Sequence, residues 1–458
     1  MTIKNRLILM NFFQFFVWGA WLITIANYWF GTKNWEGTQF GLVFGTMGIA
    51  SLFMPTLTGI IADRWVNAER LYGILHILYA GVLFSLPQVA TPTTFIYVML
   101  LAMCFYMPTI SLSNSISYTA LKQNSNDVVK DFPPIRVFGT IGFIVAMWIT
   151  NLTGNKATEY QFYIAGIAAL ILGLYAFTLP KCKPQRLISE NASLSETLGL
   201  EAFKLFANYK MALFFIFSMF LGGALQLTNA YGDVFLDEFK HFPKYANSFV
   251  VEYSTIIMSI SQISETLFIL AIPFFLKRFG IKQVMLISML AWVLRFGLFA
   301  FGDPVTGLWM IVMSCIVYGM AFDFFNISGS LFVETNTSAK NRSSAQGLFM
   351  MMTNGFGAVL GSFTSGWAID KYFTKSFSNT TDLAAYLQTE PTNGLMNEFV
   401  KGHGVEISAD GLFSNPIFMK DWHHIWLTFA AYALIIAIAF ALMFKHKHDP
   451  KDVQNIGH

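Results

Sequence analysis

The chain has 458 residues, of which 55% are hydrophobic, 17% aromatic and 12% charged, with a net charge of +3 and a mean hydropathy of +0.53. An ordinary soluble domain carries roughly 25% charged residues, so water is not the main solvent of this chain, and its small, dispersed charge gives no footprint for nucleic acid. Cys104, Cys182 and Cys315 lie far apart without CxxC spacing and indicate neither a disulfide framework nor a zinc site.

Lys4 and Arg6 precede an apolar run over 8–30 that is longer than a signal-peptide core and lacks a small-x-small cleavage site, so it reads as a retained first helix. Runs long enough to cross roughly 30 Å of hydrocarbon, about 20 residues each, follow at 40–61, 71–86, 94–118, 133–152 and 162–179. A polar segment over 180–210 carries Lys181, Lys183, Arg186, Glu190, Glu196 and Glu201. Six more runs occupy 211–231, 250–276, 284–301, 308–333, 345–369 and 425–444. The stretch 370–424, polar and containing Gly394, Gly402 and Gly404, is expected as a long loop outside the membrane.

Within lipid only helices and closed barrels satisfy every backbone group, and these runs are too long and too uniformly apolar for barrel strands. The pattern predicts an all-α membrane protein of twelve transmembrane helices. They form two six-helix bundles, 1–180 and 211–458, joined by a cytoplasmic linker over 181–210. With the N-terminus inside, nineteen Lys and Arg fall on the cytoplasmic side and eight on the other, so both termini are expected in the cytoplasm.

Charges within spans are costly and usually face a bundle interior or a cavity. Four stand out: Arg136, Glu265, Arg295 and Asp323. Residues three, four or seven apart share a helix face, which groups Arg136, Thr140 and Phe143, then Gln226 with Asn229, Gln262 with Glu265, and Tyr318, Phe322 and Asn326 beside Asp323. Together they describe a polar pocket with stacking rings, suited to a neutral, hydrogen-bonding, partly flat ligand such as a nucleoside or a sugar. The competing reading of each amide is interhelical glue, and His76 reads as a packing histidine. Gly59, Asp63 and Arg64 end the second span as Gly-x-x-Ala-Asp-Arg, where an acid and a base could pair across domains and hold one state of a transport cycle. HExxH, a nucleophile elbow and paired catalytic acids are missing from the sequence, so no enzyme is expected.

The Gly59 to Arg64 run, the twelve spans and the central linker resemble the major facilitator superfamily. More specifically, Gln14-Phe-Phe-Val-Trp18-Gly-Ala-Trp21, Phe53-Met-Pro55, Tyr106-Met-Pro-Thr109 and above all Asp131-Phe-Pro-Pro-Ile-Arg136-Val-Phe-Gly-Thr140-Ile-Gly-Phe143 resemble the bacterial nucleoside:proton symporters. The resemblance implies two bundles around a central cavity, alternating access, and import of nucleosides with protons across the inner membrane. It implies ligand contacts from Arg136, Thr140, Phe143, Gln226, Asn229, Gln262, Glu265, Tyr318 and Phe322, and proton coupling at Asp323 or Glu265. The proton is the coupling ion and no other cofactor is expected. The partners are the nucleoside and the lipid bilayer, and the protein is taken as a monomer. A sugar symporter of the same superfamily and a non-transporting membrane sensor are the alternatives.

Overall fold

The computed structural model describes residues 2–35, 37–126, 128–184, 200–337 and 342–446; the side chains of Asp63 and of residues 128–129, 200–202 and 342–344 are also outside the described set. The linker expected over 181–210 therefore lies partly outside the described residues. The first half of the chain forms α1 (Ile3–Gly19), α2 (Gly37–Arg64), α3 (Ala68–Ser85), α4 (Pro92–Gln123), α5 (Val128–Leu152) and α6 (Tyr160–Ala176). The second half forms α7 (Tyr209–Glu238), α8 (Ser254–Phe301), α9 (Leu308–Asn336), α10 (Arg342–Met350), α11 (Ala358–Tyr372), α12 (Thr380–Leu387), α13 (Gly394–Gly402) and α14 (Trp422–Met443).

Local sequence explains where these helices start. Thr91 caps α4 by accepting from the Thr94 amide, with Pro92 in the first turn, and Asn208 caps α7 by accepting from Lys210 and Met211. These groups satisfy amides that a helix start leaves without partners. α5 begins at Val128, ahead of the expected 133, and carries Pro133 and Pro134 inside it. α8 is 48 residues long because it joins two of the predicted runs. Gly280, at φ +77° and ψ 171°, turns the chain between arms over 254–279 and 281–301, a conformation that a residue with a Cβ rarely adopts. Two π-helical stretches, Asn27–Thr32 and Met351–Gly357, continue α1 and link α10 to α11. Such segments are rare and often lie at functional positions.

The expected loop over 370–424 is instead a folded unit, and the all-α expectation is corrected there. Strands β1 (Thr374–Asn379) and β2 (Leu412–Lys420) pair antiparallel, Thr374 opposite Lys420. With α12 and α13 they enclose a core of Leu383, Leu387, Met396, Val400, Ile417 and Met419. These apolar residues are scattered among polar ones, so no single run announces them.

Eight of the described helices are long and apolar enough to cross a membrane. Their outward faces carry Leu270, 77% exposed, Leu442, 72%, and Ile435, 67%. A water-soluble monomer rarely shows so much contiguous apolar surface, whereas acyl chains accept it. The chain is a mostly helical, multi-pass membrane protein.

Polar contacts joining the two halves cluster at one end of the bundle. Lys156 Nζ pairs with Asp237 at 2.7 Å and donates to the Val251 carbonyl at 2.6 Å and to Ser254 Oγ at 3.1 Å. Asn27 donates to Asp233. Trp148 Nε1 donates to Ser259 at 2.8 Å, and Asn151 to the Glu252 carbonyl at 2.9 Å. Lys420 sits 3.8 Å over the Phe30 ring and pairs with Glu238 at 2.9 Å, fastening the folded unit over that end. We call this the sealed end.

Candidate functional site

Beneath the seal lies a cavity of about 730 Å³ between the halves. α1 and α5 supply one wall. On α5, four residues after Arg136, Thr140 faces the cavity, and Phe143 follows three further on, as the helical spacing requires. The Arg136 guanidinium lies 3.9 Å over the Phe15 ring. Gly139 permits this: a Cβ there would stand 2.6 Å from the Phe15 ring and 2.7 Å from Arg136 Nη1. Phe143 meets Trp18 edge-on, with ring centres 6.3 Å apart and planes at 89°, and Trp18 packs on Tyr106 at 5.6 Å.

The opposite wall comes from α7, the first arm of α8, and α9, which carry Gln226 and Asn229, Gln262 and Glu265, and Tyr318 and Phe322. Tyr318 and Phe322 are stacked at 6.2 Å and 11°, and Trp292 props the Tyr318 ring edge-on at 5.9 Å. Gln226 Oε1 and Gln262 Oε1 are buried without a hydrogen-bond partner. An unpaired buried polar atom costs roughly 1–3 kcal/mol, so these oxygens are poised to accept from a bound molecule. Glu265 and Arg136 lie close enough across the cavity to act on each other as charges.

All nine expected ligand contacts therefore line one cavity. Asp323 does not line it. It is 4% exposed, follows Phe322 in the chain, and its Oδ2 has no hydrogen-bond partner among the described residues. Gly59 and Arg64 sit in the last turns of α2 and do not line the cavity, whose lining on this helix ends at Thr56. A Cβ on Gly59 would meet nothing within 4 Å, so that glycine does not mark a close helix approach. Asp63's side chain lies outside the described residues.

The cavity also takes in Trp18, Ser51, Ser111, Asn114, Phe203 and Asn354, which spacing arguments missed. Trp18 stands in a noted motif, but nothing in an apolar helix distinguishes a cavity-facing tryptophan from a packed one. Asn354 is brought to the cavity by the π-helical turn over Met351–Gly357, and a local change of helical pitch has no sequence period.

A ligand-sized cavity shared by two halves of a membrane-spanning bundle is the architecture of a membrane transporter for a small molecule. The chain belongs to the nucleoside H+ symporter family, whose model matches residues 1–449. It is 48% identical to the xanthosine permease of Escherichia coli over 456 residues, covering 99% of each chain. It is 46% identical to the nucleoside permease NupG of the same organism over 461 residues, covering 100% of each. A crystal structure of a point mutant of the nucleoside transporter NupG superimposes with a TM-score of 0.85 at 46% identity, covering 97% of this chain and 100% of that one. The fold is also that of a bacterial homologue of the lysosomal transporter Spinster, at a TM-score of 0.65 and 13% identity.

Proposed function

We propose that this protein imports nucleosides together with protons across the inner membrane of a bacterium by alternating access. It acts as a monomer with twelve transmembrane helices, six in 1–180 and six in 211–458, around the linker 181–210, with both termini in the cytoplasm. On that topology the sealed end faces outward and the cavity faces the cell. The observation that carries the reading is the convergence of Arg136, Thr140, Phe143, Gln226, Asn229, Gln262, Glu265, Tyr318 and Phe322 on one cavity. Stacked rings receive the flat base, and amide oxygens without partners receive donors of the base or ribose.

Glu265 faces ligand and Arg136, whereas Asp323 is buried outside the cavity lining with an oxygen unpartnered among the described residues. A carboxylate in that place is expensive while charged and cheap once neutral. Asp323 therefore carries the transported proton, and Glu265 reports the ligand's presence to it. The two acids lie close enough to feel each other's charge. Gly59, Asp63 and Arg64 act in switching between states, through contacts formed when the cytoplasmic end closes.

The test is uptake of labelled uridine, adenosine and xanthosine into sealed proteoliposomes, with and without an inward proton gradient. Accumulation above equilibrium only with the gradient is the expected result. Equilibration that ignores the gradient would remove the proton, and the absence of any nucleoside uptake by folded protein would remove the substrate.

A further inference from the structure

Arg295, in the second arm of α8, is fully buried at 0% exposure and forms no ion pair among the described residues. A buried cation without a counter-ion costs several kcal/mol even after relaxation, so its retention calls for a reason. Its hydrogen bonds supply one. Nε donates to Thr228 Oγ1 at 3.3 Å, and Nη1 to Ser261 Oγ at 3.4 Å and to the Ser314 carbonyl at 2.6 Å. Ser314 Oγ returns a bond to the Arg295 carbonyl at 2.9 Å. The guanidinium also lies 4.6 Å over the Tyr318 ring.

Each partner is a helix neighbour of a cavity residue, and the three lie on three different elements. Thr228 precedes Asn229 on α7, Ser261 precedes Gln262 on the first arm of α8, and Ser314 is four residues, about one turn, before Tyr318 on α9. We infer that Arg295 is a positioning residue for the nucleoside site: one rigid fork sets the relative placement of Asn229, Gln262 and Tyr318. Only a planar guanidinium presents several donors in fixed geometry; a lysine offers one mobile point. The inference rests on the reading that these three residues meet the nucleoside.

The test uses full-length protein in detergent, with Arg295→Met and Arg295→Lys assayed for uridine binding by calorimetry and for melting temperature, and in proteoliposomes for KM and Vmax of uridine counterflow. Methionine fills much of the space and removes the uncompensated charge, so the melting temperature holds or rises, while binding weakens about tenfold, equal to about 1.4 kcal/mol. The loss falls on KM and spares Vmax. Lysine keeps the charge without the fork and leaves binding at least about threefold weaker than wild type. Wild-type affinity in a folded Arg295→Met protein would overturn the proposal. If that variant does not fold, wild-type affinity in Arg295→Lys would do the same. Failure of the wild type itself to bind any nucleoside would instead defeat the underlying substrate reading.

Discussion

Two buried regions, the Gln14 network between α1, α3 and α4 and the second-half wall of the cavity, hold similar polar side chains in different ways. In the first half, Gln14 is saturated: its Nε2 donates to Thr109 at 2.9 Å, its Oε1 accepts from Tyr72 at 2.6 Å and meets His76 Nε2 at 2.9 Å, and its carbonyl accepts from Tyr106 at 2.7 Å. In the second half, Gln226 and Gln262 on the cavity wall, and Asp323 next to the lining residue Phe322 in the chain, keep oxygens with no partner among the described residues. A buried amide bonded on every side is a tie between helices. One left open toward a cavity is a place for a ligand or a proton.

The contrast is sharpest at Asp323, where the largest effect is expected. Asp323→Asn holds the side chain permanently neutral, so gradient-driven accumulation of uridine is lost while counterflow, which needs no net proton movement, continues. Glu265→Gln weakens uridine binding and leaves coupling in place. Loss of coupling in Glu265→Gln with coupling retained in Asp323→Asn would exchange the two assignments.

Next in size is the closed network. Gln14→Leu strands the Tyr72 hydroxyl and His76 Nε2 in a buried site, at about 2 kcal/mol or more in total, read as a lower melting temperature. Because Gln14 does not line the cavity, uridine affinity in the folded fraction stays at the wild-type value. A change of affinity without a change of stability would break the distinction between the Gln14 network and the cavity wall.

Sequence reasoning picked out much of the second-half cavity wall because its residues recur at helical spacing inside otherwise apolar runs, as Gln226 and Asn229 do. It did not reveal the Gln14 network, whose side-chain partners lie 58 to 95 residues away. Gln14 and a cavity glutamine look alike until the fold assigns neighbours. The break in α8 was legible because Lys277, Arg278 and Lys282 interrupt the apolar run around Gly280. The folded unit over 374–420 was not, because its core is assembled from isolated residues such as Leu387, Met396 and Ile417. Asn354 escaped for a third reason, since its placement depends on a π-helical turn.

The smallest predicted effect is also the most direct test of the central claim that the open amides of the second half receive the nucleoside. It is the uridine dissociation constant, measured by calorimetry beside the melting temperature, for Gln262→Ala and Gln226→Ala. Each truncation removes an oxygen that has no partner among the described residues, so stability holds or improves while binding weakens about tenfold, the worth of one or two hydrogen bonds. Lower melting temperatures with wild-type affinity would mean that these amides tie helices together, as Gln14 does, and the account of the site would be wrong.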